Sequence, residues 1–352
     1  MKYIIILICS LLVFSSCSPS SEQTITDNNT VETIYYFYLT AGVLYKYNLL
    51  TGDTSPVCTD PVCAHDSECF FAEVNYVWSH ENTIFFSKSD TRTLTEENGL
   101  NYITESICSF DYASGKRLEL CKIKSGTDSA LQGMLEYYDG YIYFYRQTPD
   151  PEVTEFSLYR VPATGGTPED MELSVPMWHG AHYSDRLFFF DNVNTLYSTD
   201  IYGDNRSNDV ILQKPGRIVL SRDTTDGCLY YSIIYSDSNE IWKMNLTSKK
   251  NEKLYETSDG TIASLYRTDE ALYFLIAGEE IQYGQTPAGR TLTDPYAGKI
   301  YRIDLGSKKC ETVYDNPDTH ISYLRKSGNN IIVFSTELNA DTVTNNRFVL
   351  NK

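Results

Sequence analysis

Residues 217–254 read RIVLSRDTTDGCLYYSIIYSDSNEIWKMNLTSKKNEKL. Aliphatic, aromatic and β-branched runs alternate with turn residues such as TDG and TSKK, the composition of four short β-strands. The same unit recurs along the chain. Its first phrase, aliphatic-aromatic-aromatic, stands at Ile34-Tyr35-Tyr36, Ile84-Phe85-Phe86, Ile142-Tyr143-Phe144, Leu187-Phe188-Phe189, Leu229-Tyr230-Tyr231 and Leu272-Tyr273-Phe274, with a weaker copy at Ile331-Ile332-Val333. The spacings are 50, 58, 45, 42, 43 and 59 residues. A second phrase follows each first one: LYKYN from Leu44, ICSFD from Ile107, LYRVP from Leu158, LYSTD from Leu196, IWKMN from Ile241, IYRID from Ile300 and RFVLN from Arg347. No stretch of ten or more residues keeps a helical period.

Repeats of this length with four strands each predict an all-β chain, a single β-propeller of four-stranded blades. Seven blades are expected, with six or eight as alternatives. One sheet alone buries too little surface, and packing blade on blade in a ring covers both faces. The first unit lacks an innermost strand in the sequence and the last lacks an outermost one, which leaves ring closure open.

The composition agrees. The chain has 352 residues, 41% hydrophobic, 22% charged and 13% aromatic, which excludes extended disorder, collagen and coiled coil. Its 29 basic and 47 acidic residues give a net charge of −18, so nucleic acid is not expected as a partner.

Residues 1–17 read MKYIIILICSLLVFSSC. Lys2 precedes an apolar run from Ile4 to Phe14, too short to span a bilayer as a helix. The run ends in Ser15-Ser16 and Cys17, which looks like a bacterial lipoprotein signal. Phe14 stands where that signal usually has Leu, and an ordinary secretory signal is the alternative. The division expected is a signal peptide at 1–16, a lipidated Cys17 with a polar tether at 17–32, and a propeller at 33–352. Acyl chains on Cys17 would hold the protein on the outer face of the cell membrane.

The phrases LYRVPATGG and IYRIDLGSKK resemble units of TolB-like and YWTD-like propellers, the latter being low-density-lipoprotein-receptor-like. The segment CTDPVCAHDSEC, Cys58–Cys69, resembles one found after the first blade of propeller lipoproteins of gut Firmicutes. That group has no established activity to carry over.

Outside the signal stand Cys58, Cys63, Cys69, Cys108, Cys121, Cys228 and Cys310. In an exported protein a disulfide among Cys58, Cys63 and Cys69 is the plainer expectation. A structural zinc on Cys58, Cys63, His65 and Cys69, or free thiols, are the alternatives. Cys108 and Cys121 flank a turn, and pairing Tyr112 with Arg117 would set the two cysteines directly opposite, within reach of a bond. Cys228 and Cys310 read as buried core.

The long connections predicted between second and third strands, 88–105, 146–156, 277–299 and 336–345, all fall on one face of the ring. That face is the candidate binding surface, with Arg92, Tyr102, Trp178, His179, Tyr283, Arg290, Tyr296 and His320 as candidate ligand contacts. No phosphate loop, Gly-x-Ser-x-Gly or His-Glu-x-x-His occurs, and neither catalytic residues nor a cofactor are expected. The expected function is a non-catalytic binding or scaffold lipoprotein of the cell envelope, with a protein, peptide or glycan partner. An envelope hydrolase or lyase acting on glycan or peptide is the alternative.

Overall fold

The computed structural model describes residues 34–350, apart from 98–99, 127–134, 148–155, 176–179, 191–194, 202–208, 214–215, 222, 278–279, 286–290, 296–298, 317–318 and 340–341. Blade 1 holds β1 (Tyr35–Thr40), β2 (Val43–Asn48) and β3 (Thr54–Pro56). Blade 2 holds β4 (Val74–His80), β5 (Thr83–Glu97), β6 (Leu100–Asp111) and β7 (Arg117–Gly126). Blade 3 is β8 (Leu135–Tyr138), β9 (Tyr141–Gln147), β10 (Phe156–Pro162) and β11 (Glu169–Val175). Blade 4 is β12 (Gly180–Tyr183), β13 (Arg186–Phe190), β14 (Thr195–Asp200) and β15 (Asp209–Gln213). Blade 5 is β16 (Arg217–Ser221), β17 (Cys228–Ile234), β18 (Asn239–Asn245) and β19 (Asn251–Thr257). Blade 6 begins with β20 (Thr261–Arg267) and β21 (Ala271–Ala277); a separate hairpin, β22 (Glu280–Gln285) and β23 (Thr291–Pro295), precedes its outer pair, β24 (Lys299–Asp304) and β25 (Cys310–Asp315). Blade 7 closes the series with β26 (Thr319–Ser327), β27 (Asn330–Asn339) and β28 (Thr342–Val349).

The chain is a seven-bladed β-propeller. Blades 2 to 6 have four antiparallel strands each, and blades 1 and 7 have three. As the phrases predict, among the described residues blade 1 has no inner strand and blade 7 no outer one.

The recurring phrase follows from the pleat. Successive side chains of a strand point to opposite faces, and here both faces are covered by neighbouring blades. Leu272 and Phe274 pack toward blade 5, and Tyr273 between them packs toward blade 7. Ile142 and Phe144 face blade 2, and Tyr143 and Tyr145 face blade 4. Seven apolar clusters result, one at each blade interface. The seventh closes the ring: Ile332 and Phe334 of blade 7 pack against Tyr38, Tyr47 and Leu49 of blade 1. Polar contacts reinforce the seam, with the Tyr47 hydroxyl donating to the Arg347 carbonyl at 3.0 Å and Ser327 donating to the Tyr35 carbonyl at 3.1 Å. Among the described residues no strand is shared across it.

Every four-stranded blade carries a register shift between its third and fourth strands, within or beside the opening of the second phrase: at Ile107/Cys108, Ser157/Tyr159, Leu196/Tyr197, Ile241/Trp242 and Ile300/Tyr301. In four of them one extra apolar residue sits on the outer strand: Leu120, Ile211, Leu254 and Val313. Such bulges sharpen the local twist of a strand, here that of each blade toward its outer edge.

The turn and the bulge of blade 2 together correct one expectation, the pairing of Tyr112 with Arg117 and of Cys108 with Cys121. Asp111 and Lys116 close the blade 2 turn, with Asp111 N donating to the Lys116 carbonyl at 2.9 Å and the Asp111 carboxylate accepting from Ser114 N at 2.6 Å. Pairing therefore starts at Phe110↔Arg117, and the extra Leu120 then places Cys121 opposite Ile107 and Cys108 opposite Glu119. Cys108 packs toward blade 1 and Cys121 toward blade 3. The two thiols lie on opposite faces of the sheet, and no bond joins them.

Candidate functional site

The segment between β3 and β4 forms no strand, yet both of its ends are fixed. Val57 N donates to the Leu44 carbonyl at 3.0 Å, and Leu44 N donates to the Phe71 carbonyl at 3.0 Å. Phe71 and Ala72 are buried between blades 1 and 2, and the Arg117 guanidinium lies 4.9 Å from the Phe71 ring. The intervening chain turns on its own polar groups. The Asp60 carboxylate accepts from Val62 N and its carbonyl from Cys63 N; the Asp66 carboxylate accepts from Glu68 N and its carbonyl from Cys69 N.

These turns bring Cys58, Cys63, His65 and Cys69 together, with their ligand atoms all within 4.8 Å of one another. Cys58 and Cys69 are buried, Cys63 and His65 half-buried. His65 has φ +54°, a left-handed conformation that costs a non-glycine residue about 1–2 kcal/mol. That conformation sets His65 N 3.4 Å from the Cys63 sulphur and His65 Nδ1 3.8 Å from the Cys69 sulphur. The hydrogen bond from His65 N holds the Cys63 thiol below its ordinary range, whereas burial pushes Cys69 up to about 12. No disulfide is formed among the three sulphurs. Lys88 donates to the Cys69 carbonyl at 3.1 Å. A soft divalent metal is the ligand such a donor set suits.

Three of the predicted long connections, 88–105, 277–299 and 336–345, are largely strand among the described residues, and 148–155 of the fourth lies outside them. β5 and β6 pair as far as Glu97↔Leu100, well past Val74↔Lys88, the last pair that β4 makes. Asn98-Gly99, a pair suited to a two-residue hairpin turn, joins them in the sequence. The register shifts between Asp90 and Thr95. There Thr93 donates to the Asp90 carbonyl at 2.7 Å and accepts from Thr104 N at 2.7 Å. Arg92 is exposed, with Nε 2.9 Å from the Asp90 carboxylate, and its hydrogen bond holds that carboxyl below the usual range. Leu94 beside it is 58% exposed. Tyr102 is half-buried, with Lys124 Nζ 4.6 Å from its ring centroid. Tyr283 lies on β22 and His320 on β26, opposite Thr336. Trp178, His179, Arg290 and Tyr296 lie outside the described residues.

The opposite face carries groups that the sequence reading missed, at the ends of the inner strands. Arg267 of β20 lies 3.0 Å from the Asp223 carboxylate and 3.7 Å from Asp226, and Lys326 of β26 also pairs with Asp223. Between blades 3 and 4, His182 Nδ1 meets Glu136 Oε2 at 2.9 Å, both side chains buried. The signal was a basic residue closing an inner strand, as in LYR at 265–267 and LRK at 324–326. Two clefts open on this face. One of about 370 Å³ lies between blades 2 and 3, beside His80, Phe85, Lys116 and Tyr137. One of about 260 Å³ lies between blades 6 and 7, beside Glu270, Arg302 and Asn329.

No protein-family model and no curated protein matches the chain. Solved structures do match in fold. The acylaminoacyl peptidase of Pyrococcus horikoshii is 9% identical with a TM-score of 0.53, covering 88% of this chain and 47% of the peptidase. TolB from Acinetobacter baumannii is 14% identical with a TM-score of 0.38, covering 74% of this chain and 68% of its own. A chain of the nidogen/laminin complex is 12% identical with a TM-score of 0.42, covering 77% of this chain and 92% of its own. At such identities what is shared is the propeller fold.

Proposed function

We propose that the chain is a lipid-anchored, extracytoplasmic β-propeller that acts as a binding or scaffold ring of the cell envelope. Its tether is Cys17 followed by the polar run to residue 32, and its contact surface is the face from which the long hairpins rise. The observation that carries the reading is the irregular stretch of β5, where Arg92 and Leu94 stand exposed on a hairpin that outruns the inner strand of its blade. Exposed apolar and guanidinium groups on a hydrogen-bonded scaffold suit protein or glycan contact, because little of the scaffold must be ordered on binding.

The test combines phase partition with cross-linking in intact cells. The native chain partitions with detergent and cross-links to an envelope partner. Cys17→Ala leaves the detergent phase or remains unprocessed, and the double variant Arg92→Ala/Leu94→Ala keeps its melting temperature while losing the cross-link. Unchanged partition of the first variant overturns the anchor, and unchanged cross-linking of the second overturns the contact surface.

A further inference from the structure

We propose that Cys58, Cys63, His65 and Cys69 form a structural zinc site that pins the segment between blades 1 and 2. The inference is independent of the tether and of the contact surface.

Three observations carry it. The first is distance. With Zn–S bonds near 2.3 Å and Zn–N bonds near 2.0–2.1 Å, tetrahedral ligand atoms lie about 3.5–3.8 Å apart. The Cys69 sulphur and His65 Nδ1 stand at 3.8 Å, and all four donor atoms fall within 4.8 Å of one another. A disulfide needs two sulphurs about 2.05 Å apart, would use two of the three thiols, and would leave His65 without a part in the cluster.

The second is the backbone. His65 occupies a left-handed conformation, φ +54°. In that conformation its ring reaches the Cys69 sulphur and its N–H reaches the Cys63 sulphur. An N–H directed at sulphur stabilises thiolate, the form that binds a metal.

The third is position. Cys58 and Cys69 lie in the apolar cluster between blades 1 and 2, beside Phe71, Val74 and Phe86. The segment between them closes on itself through Asp60 and Asp66 rather than on a strand ladder. A metal would join its ends and its middle in one step. Binding forms three Zn–S bonds and one Zn–N bond, and the thiol protons pass to the buffer. The resulting tris-thiolate charge forms beside Lys88, whose ammonium already holds the Cys69 carbonyl.

The experiment uses the full chain in detergent, purified without oxygen. One zinc per chain is expected. Cobalt in its place should give the visible absorption of a tetrahedral thiolate site. His65→Ala should weaken zinc binding by at least about 100-fold, and Cys63→Ser should abolish stoichiometric binding, while Cys108→Ser leaves it intact. Chelator, and not reductant, should raise protease cleavage within residues 59–72. The native chain is itself the decisive sample, so the result does not depend on a variant folding. A disulfide among Cys58, Cys63 and Cys69 found by mass spectrometry overturns the proposal. So do three free thiols that take up neither zinc nor cobalt.

Discussion

Lys326, at the end of the inner strand of blade 7, pairs with Asp223 of blade 5, reaching across blade 6. Arg267 of blade 6 meets the same carboxylate at 3.0 Å and also donates to Thr225 at 2.7 Å. Three blades are thus fastened at one point by side chains that are mostly withdrawn from water. Asp223→Ala removes the shared acceptor and leaves Arg267 buried with the hydrogen bond to Thr225 and the longer contact to Asp226. Breaking a largely buried pair from one side is costly, and a loss of about 2–3 kcal/mol is expected, read as a lower denaturant midpoint. An unchanged midpoint would show that the three blades hold without it.

The same carboxylate sets an acid limit. Burial alone would raise Asp223, but the Lys326 ammonium and hydrogen bonds from Lys326 and Thr225 outweigh it and hold the carboxyl below the ordinary range. Arg267 meets the same carboxylate, and also meets Asp226, which Lys243 and the Tyr230 hydroxyl contact in turn. Because the folded value is depressed, the unfolded chain binds the proton first. The stabilisation is complete above the unfolded value of about 3.9 and is lost as pH falls through the lower folded value. Melting curves should therefore steepen in their acid dependence below about pH 4. Asp223→Asn should be less stable at pH 7 and flatter across the acid range.

The seam between blades 7 and 1 rests on Ile332, Phe334, Tyr38, Tyr47 and Leu49. Phe334→Ala should cost about 3 kcal/mol as a large-to-small change in a buried cluster. It should also act locally. Hydrogen exchange is expected to quicken in β1–β3 and β26–β28 while blades 3 to 5 keep their protection. A uniform increase around the ring would show that the seam opens only with global unfolding.

Burial pushes Cys108 up to about 12 and Cys121 up to about 11. Since only thiolate reacts, alkylation at pH 8 should run on the order of a thousandfold slower for Cys108 than for an ordinary cysteine of pKa about 8.5. Both residues should label fully after unfolding, and peptide mapping should find no fragment joining them. A cross-linked Cys108–Cys121 peptide would contradict the register described above.

The seven blades were legible because both faces of each second strand are buried, so a phrase as plain as Leu272-Tyr273-Phe274 marks every unit. The bulges were not legible. The turn closes the pairing at Phe110↔Arg117, two residues earlier on β6 than the Tyr112↔Arg117 pairing expected, and Leu120 then adds a residue to β7 without breaking the run of strand-forming side chains, so Cys121 comes opposite Ile107 and not Cys108. The spacing of Cys58, Cys63, His65 and Cys69 was plain on the page, but their convergence depends on the left-handed turn at His65, a conformation that histidine adopts without a fixed sequence signal. Asp223 and Lys326 escaped notice for a simpler reason: 103 residues separate them, and it is the stacking of blades 5, 6 and 7 that makes them neighbours.

The absence of a shared strand at the seam, among the described residues, bears on how the ring assembles. Each blade is drawn from one contiguous run of chain, so strand pairing is sequential and its contact order is low. A ring latched by an exchanged strand must keep its first blade incomplete until its last residues arrive. Here each sheet can form its ladder as the chain emerges, and the step of greatest sequence separation is the docking of two finished apolar surfaces. Among the described residues every ladder joins strands of one contiguous run, and β1–β3 meet β26–β28 through apolar packing and side-chain hydrogen bonds.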